Sequence, residues 1–222
     1  MYTLVFDTTA ARCSVCLLEK EKIIDKYSHV FDFGQSEALL PAIRDMLQKN
    51  NIAFSQIKYL FVCVGPGSFT GVRASISAAK IFGLALKDMV VGGFSAFDAY
   101  IKLLDEEDIA AYNAVIIETR RDDFYVRFYD KHLMPLELPQ TLSREEIIKY
   151  LKKQGVAVTV VGDGVERFLQ QPSGLQLHSI KMVDGLTEEA LAAAAVTQIK
   201  NNKFNSPKPL YIRPADVTVS PK

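Results

Sequence analysis

The hydrophobic positions of the chain follow two periodicities in turn, and this predicts strands followed by helices. Short runs rich in apolar residues predict strands. In the first half they lie at 4–7, 13–18, 23–30, 59–64 and 89–91. Apolar residues at helical spacing predict a helix from Gln35 or Ser36 to Lys49. Its apolar positions are Leu39, Leu40, Ile43 and Leu47. Further helices are predicted over 74–86 and from a cap at Ser95 to Leu104.

A charged break at 105–108 interrupts the pattern, and strands restart after it. The second half has predicted strands at 114–118, 124–129 and 157–161, and predicted helices at 143–153 and 187–200. This order predicts an α/β protein with two lobes, 1–106 and 107–222, each a mixed sheet with flanking helices. The second lobe repeats the pattern of the first in a shortened form. A cleft between the lobes is the default ligand site.

A glycine-rich turn joins the strand at 59–64 to the following helix. It reads Gly65-Pro66-Gly67-Ser68-Phe69-Thr70-Gly71-Val72-Arg73. Its glycines allow backbone angles that a Cβ forbids, and Ser68 or Thr70 can cap the helix. The spacing matches neither a Walker loop nor a dinucleotide fingerprint. The turn is either a tight connection, which the physics favours, or an anion site at a helix N-terminus.

Composition narrows the class of protein. The chain has 222 residues, 49% of them hydrophobic, and its 26 basic residues balance 26 acidic ones. It is therefore globular and carries no overall nucleic-acid charge signature. No apolar run is long enough to span a membrane, and the N-terminus lacks the basic region of a signal peptide, so a cytoplasmic protein is expected. Cys13 and Cys16 fall on opposite faces of one strand, which predicts core residues rather than a metal or redox pair. No metal site is predicted.

Several motifs resemble those of the bacterial TsaB (YeaZ) family. They are Phe6-Asp7-Thr8-Thr9, Cys13-Ser14-Val15, the run from Gly65 to Arg73, Ile117 to Arg120 with Phe124-Tyr125, Val161 to Gly164, and Pro209 to Arg213. The resemblance implies an actin-like, sugar-kinase-like (ASKHA) two-lobed fold. It also implies a part in making threonylcarbamoyladenosine in tRNA. In that pathway the paralogue TsaD transfers the threonylcarbamoyl group, a TsaB protein is its dimer partner, and the ATPase TsaE joins them.

The resemblance further implies that this chain is not itself the catalyst. TsaD-type proteins carry a metal-binding H-x-x-x-H where this chain has 92–100, a segment without histidine. We therefore expect a scaffold with no catalytic residue and no cofactor, which meets tRNA only through the complex. The chain departs from the family at Glu118, where Asp is expected, and at Asp122-Asp123, where Gly-Glu is expected. An independent ATPase or small-molecule kinase is the alternative, with Asp7 and Glu118 as its only candidate metal carboxylates. A peptidase is disfavoured because Ser68 has no evident histidine partner.

The resemblance also places a partner surface on the two helices of the first lobe. One stripe of the second helix could face the sheet: Val72, Ile76, Ala79, Gly83 and Leu86. The other stripe, with the apolar positions of the first helix, is predicted to pair with TsaD, or with a second copy when TsaD is absent. Its members are Leu39, Leu40, Ile43, Leu47, Ser75, Ala78, Phe82 and Ala85. The alternative is that both stripes pack within the chain.

Two further assignments concern the loops. Asp7, Thr8 and Thr9 match a loop that touches phosphate in ATPases of this fold, and a structural role as a turn cap is favoured here. Arg73 either binds an acidic group of a partner or covers the glycine turn.

Overall fold

In the computed structural model, which describes residues 1–31 and 34–213, the chain forms two five-stranded mixed sheets. The first sheet has the order β3-β2-β1-β4-β5 and consists of β1 (Tyr2–Asp7), β2 (Arg12–Glu19), β3 (Lys22–Val30), β4 (Ile57–Cys63) and β5 (Val90–Phe94). The second has the order β10-β9-β6-β7-β8 and consists of β6 (Tyr112–Glu118), β7 (Asp123–Asp130), β8 (Gln140–Ser143), β9 (Val158–Gly162) and β10 (Leu177–Met182). The predicted α/β class is confirmed, and β3 lies at the edge of the first sheet. The last nine residues of the predicted second lobe, 214–222, lie outside the described residues.

The helices cover both faces of the sheets. They are α1 (Gln35–Lys49), α2 (Phe69–Ala85), α3 (Ala96–Tyr100), α4 (Arg144–Lys153), α5 (Val165–Leu169) and α6 (Glu188–Lys200), with short 3₁₀ turns at 54–56, 101–103 and 106–108. Helices α1 and α2 pack on the outer face of the first sheet, and α4 and α5 pack on the outer face of the second. Helices α3 and α6 share one core with the inner faces of both sheets. No helix among the described residues is long and apolar enough to cross a membrane.

Strand β2 shows how residue alternation builds these layers. Successive side chains of a strand point to opposite faces. Cys13 accordingly lies in the core under α1 and α2, and Cys16 lies in the core shared with α6. Both thiols are free and fully buried. Burial, together with the charge of Asp7, raises the pKa of Cys13 to about 12, which fits a packing residue. The prediction of core cysteines is confirmed.

The end of the chain returns to the first sheet. Helix α6 contacts β1, β2 and β3, although the sequence placed it in the second lobe. The Phe204 ring lies 5.6 Å from the ring of Tyr59, and the Leu210 N–H donates to the Val64 carbonyl over 2.9 Å. The boundary at residue 106 therefore divides the two sheets, but α6, which follows it in the chain, packs against the first sheet. The space where a cleft was expected contains packed side chains of α3 and α6, including Phe97, Tyr100, Leu191 and Ala194.

Element ends differ from the prediction where glycines or short turns intervene. Strand β5 continues through two glycines to Phe94. A Cβ on Gly92 would lie 2.4 Å from the Phe61 ring, so a glycine lets the strand pack closely there. Helix α3 ends at Tyr100 and a 3₁₀ turn follows, so the helix predicted to reach Leu104 is shorter.

Candidate functional site

The glycine-rich turn packs directly against the loop that follows β1. The Ser68 N–H donates to the Thr9 carbonyl over 2.6 Å, and the Thr8 hydroxyl donates to the Gly71 carbonyl over 2.8 Å. A Cβ on Gly67 would lie 2.3 Å from the Thr9 carbonyl oxygen, and one on Gly71 would lie 1.8 Å from that of Thr8. Such separations are far inside van der Waals contact. The glycines are therefore required by this close backbone approach.

The turn also starts helix α2. Ser68 is the N-cap, and its hydroxyl accepts from the Gly71 N–H over 3.4 Å. Of the two predicted caps, Ser68 rather than Thr70 takes the role. Gly65 has φ +102°, a conformation that glycine adopts without strain, and the Gly65–Pro66 peptide bond is cis. The geometry is that of a tight strand-to-helix connection.

Asp7 lies beneath this turn and is 2% exposed. One carboxylate oxygen accepts from the Thr9 N–H over 2.9 Å. Burial raises the pKa of Asp7 above its ordinary value, and hydrogen bonds from Thr9 oppose the change. Thr8 and Thr9 are buried as well. The carboxylate is thus engaged within its own loop and shielded from solvent, which supports the structural role over contact with phosphate or metal.

Glu118 ends β6 of the second sheet as Asp7 ends β1 of the first. Its carboxylate accepts from Arg167 Nε over 2.7 Å and Nη2 over 2.8 Å, and the Arg167 guanidinium lies 3.8 Å from the centroid of the Phe124 ring. Burial works against ionisation of Glu118, but the hydrogen bonds from Arg167 and from the Arg120 N–H outweigh it, so the pKa is lowered. The carboxylate is already paired within the chain.

Tyr100 and Asp163 lie between the two loops. The Asp163 carboxylate accepts from the Glu118 N–H over 3.0 Å. Burial raises the pKa of Asp163 to about 6, against opposing hydrogen bonds from Glu118 and Tyr100. Burial and the charges of Asp163 and Asp7 raise the pKa of Tyr100. The sequence showed Asp163 only as part of a Gly-Asp-Gly turn, and nothing in it pointed to Tyr100 or Arg167.

Metal-binding side chains are not gathered in the described part of the chain. Within residues 1–31 and 34–213, no group of three or more His, Cys, Asp or Glu side chains could hold a metal ion. Asp7 and Glu118, the two carboxylates that the ATPase alternative required, belong to separate hydrogen-bond networks.

The predicted partner residues divide into buried and exposed sets. Leu39, Ile43, Leu47 and Ser75 are buried within the chain, so their assignment to a partner surface is wrong. They turn toward the sheet, and Ser75 donates to the Gly71 carbonyl. Ala78 and Phe82 are partly buried, and the Phe82 ring lies 4.5 Å from that of Phe54.

The remaining predicted residues, Leu40 and Ala85, are exposed, and two residues that the sequence did not single out join them. Leu40 on α1 is 55% exposed, and Ile81 and Leu84 on α2 are 63% and 81% exposed. Helices α1 and α2 contact each other. We call Leu40, Ile81, Leu84 and Ala85 the outer helix face. The spacing of Ile81 and Leu84 along α2 was available as a signal, but the sequence alone does not show which stripe faces solvent.

The C-terminal segment meets the start of α2. The Arg73 guanidinium lies 3.7 Å above the Phe69 ring, and its Nε donates to the Tyr211 hydroxyl over 3.1 Å. The rings of Phe69 and Tyr211 are 5.8 Å apart. Two residues further on, Arg213 pairs with Asp123 at the start of β7. Arg73 thus packs over the ring of Phe69, beside the glycine turn.

Comparisons with known proteins agree with this geometry. The family model described as "TsaD: tRNA N6-adenosine threonylcarbamoyltransferase" matches residues 34–126. The tRNA threonylcarbamoyladenosine biosynthesis protein TsaB of Buchnera aphidicola from Schizaphis graminum is 29% identical over 77% of this chain and 82% of its own length. TsaB of Escherichia coli is 26% identical over 96% of this chain and 95% of its own length.

Solved structures show the same fold. YeaZ from Pseudomonas aeruginosa superposes with a TM-score of 0.79 at 22% identity, covering 95% of this chain and 99% of its own. The activator of 2-hydroxyisocaproyl-CoA dehydratase from Clostridium difficile superposes with a TM-score of 0.52 at 13% identity, over 90% of this chain and 95% of its own. These likenesses confirm the predicted actin-like, sugar-kinase-like two-lobed fold. Relatives named TsaB in several bacteria, together with the YeaZ structure, agree with the resemblance of this chain to the bacterial TsaB (YeaZ) family.

Proposed function

We propose that this chain takes part in the biosynthesis of threonylcarbamoyladenosine in tRNA, as a non-catalytic partner of a TsaD-type transferase. The names of its relatives give the pathway. Within the pathway, TsaE joins the complex, and the chain acts by holding the transferase in its working arrangement. The outer helix face also pairs two copies of this chain when the transferase is absent.

The exposure of the outer helix face is the observation that supports a partner role most directly. Leu84 is 81% exposed and Ile81 is 63% exposed on a helix that buries Val72, Ile76 and Ala79 on its other side. Large apolar side chains exposed together on neighbouring helices are typical of a surface that another protein covers. A depression beside Leu84, formed by α2, β5 and residues 206–207, offers space for a partner side chain.

The state of the two strand-end acids supports the non-catalytic part of the proposal. A phosphate-binding or metal-binding carboxylate needs free oxygen atoms directed at the ligand. Asp7 is buried beneath the glycine turn, and Glu118 is paired with Arg167. Neither is arranged for the ATPase or kinase alternative, and no observation on this chain favours that function.

Association with the transferase tests the proposal. The double variant Ile81→Asp/Leu84→Asp places two charges on the outer helix face, and we expect it to lose binding to the TsaD-type protein of the same organism, measured by analytical ultracentrifugation. Leu138→Asp is the matched control, since Leu138 is also 81% exposed but lies in the second lobe. Unchanged binding by the double variant, or equal loss in the control, would contradict the proposed face.

A further inference from the structure

Two motif segments far apart in the sequence meet at one exposed site that packing does not explain. Gly67 and Gly71 are accounted for by the backbone approach to Thr8 and Thr9. Phe69 and Tyr211 are not, because 43% and 49% of these residues remain exposed. Arg73 is exposed beside them. We call Phe69, Arg73 and Tyr211 the aromatic platform.

The platform is held in place by contacts among its own members. Arg73 packs over the Phe69 ring and donates a hydrogen bond to the Tyr211 hydroxyl. The two rings lie 5.8 Å apart at 31° to each other, and Arg73 covers one face of Phe69. The backbone behind Tyr211 is fixed by the hydrogen bond from the Leu210 N–H to Val64. A ligand would therefore meet rings whose conformational freedom is already restricted, which lowers the entropic cost of binding.

Cationic residues flank Tyr211 along its segment, although the whole chain is neutral. Lys208 is exposed in the same segment as Tyr211. Arg213 is paired with Asp123, which follows a turn bearing exposed Arg120, Arg121 and Asp122. Exposed aromatic rings beside arginines are the pattern by which proteins hold unpaired nucleotides, with bases on the rings and phosphates on the cations.

We propose that the aromatic platform binds a single-stranded segment of RNA, with a base stacked on Phe69 or Tyr211 and a phosphate contacted by Arg73. This inference rests on the proposed function, because a part in tRNA modification is what makes RNA the substrate at hand. It differs from the expectation that tRNA is reached only through the complex. An acidic protein segment would use the cations but would leave the flat faces of the rings unused.

Binding of tRNA and of a short single-stranded oligoribonucleotide, measured by fluorescence anisotropy, tests the inference. The measurement is made on the full chain, alone and with the TsaD-type transferase. Phe69→Leu/Tyr211→Leu keeps apolar bulk but removes the rings, and it should weaken RNA binding about ten-fold or more. Arg73→Gln should lower the slope of log affinity against log salt concentration by about 0.7, the value for one phosphate on a single strand. Tyr211→Leu alone serves if the double variant fails to fold, as judged by its melting temperature.

Two controls separate this inference from the proposed function. Arg44→Gln removes an exposed arginine of α1 that lies outside the platform, and it should leave RNA binding unchanged. Ile81→Asp/Leu84→Asp should also leave RNA binding by the isolated chain unchanged, whatever it does to transferase association. Equal RNA binding by the platform variants and the wild type would overturn the inference while the proposed function stands. So would a loss confined to binding of a protein such as TsaE, which would identify the platform as a protein-docking site.

Discussion

The loops at the ends of β1 and β6 occupy corresponding places in the two sheets, yet their acids are neutralised in opposite ways. Asp7 is buried under the glycine turn and its pKa is raised. Glu118 is partly exposed, pairs with Arg167, and has a lowered pKa. The acid of the loop after β1 is shielded from solvent, and the acid of the loop after β6 is paired with an arginine of the same chain. Each acid is thus held by other groups of the chain, and the proposed function lies on the outer surfaces instead.

The largest effect that would break this comparison is expected at Gly71. Gly71→Ala places a Cβ on the Thr8 carbonyl oxygen. Because the Cβ is held rigidly by its backbone and the oxygen belongs to the backbone, the glycine turn and the loop after β1 must separate. We expect a loss of about 3 kcal/mol in the free energy of unfolding by urea. Gly83→Ala is the control in the same helix, where the added Cβ would lie 2.7 Å from Val91 Cγ2 and the crowded neighbour is a side chain rather than backbone, so a smaller loss is expected. Equal losses in the two variants would show that the loops do not depend on this close approach.

A second prediction concerns Asp163, which lies between the loops. Its pKa of about 6 is above the ordinary value of 3.8, so the native state holds the proton more tightly than the unfolded state. The resulting stability is complete below pH 3.8 and is lost as the pH rises through about 6. Asp163→Asn keeps an oxygen for the Glu118 N–H but cannot ionise. The unfolding free energy of the variant minus that of the wild type should therefore rise by about 2 kcal/mol from pH 4 to pH 8.

Asp122→Asn is the control for this measurement, since Asp122 is an exposed acid in the turn between β6 and β7. It should change the free energy of unfolding by less than about 0.5 kcal/mol at either pH. If the stability difference between Asp163→Asn and the wild type were as independent of pH as that of this control, the folded state would not raise the pKa of Asp163.

The smallest predicted effect concerns Glu118, the acid of the loop after β6. Glu118→Gln removes the charge that pairs with Arg167, and we expect a loss of about 1 kcal/mol in unfolding free energy at pH 7, because the pair is partly open to solvent. The folded pKa of Glu118 is lowered, so its contribution is present above the ordinary 4.5 and disappears as the pH falls through the folded value. Glu166→Gln, on the exposed side of α5, should show no such dependence. A loss that persisted at low pH would argue against an ionic cause.

Much of the fold follows from local patterns in the sequence. Ser143 with Glu146, and Thr187, cap the starts of α4 and α6, at the predicted helix starts of 143 and 187. The prediction missed β8, β10 and α5. Strands β8 and β10 are edge strands with polar residues among the apolar ones, and α5 is short. Such elements depend on neighbours from elsewhere in the chain, which local periodicity does not reveal.

The candidate site was harder to predict than the fold, for a physical reason. Helical spacing shows that α1 has an apolar stripe, but it does not show that Leu39 turns inward while Leu40 turns outward. The meeting of Tyr211 with Phe69 and Arg73 depends on the return of the C-terminal segment to the first sheet. These residues belong to motifs that are visible in the sequence, but their proximity is visible only in the folded chain.

Threonylcarbamoyl transfer to tRNA by the TsaD-type transferase, with TsaE and the enzyme that makes the adenylate, tests the central claim most directly. The rate is compared without this chain, with the wild type, with Asp7→Asn and with Ile81→Asp/Leu84→Asp. We predict that transfer requires the chain, survives Asp7→Asn, and falls to the level without the chain in the double variant. Transfer that does not depend on the chain, or that is lost with Asp7→Asn while the double variant remains active, would contradict the account.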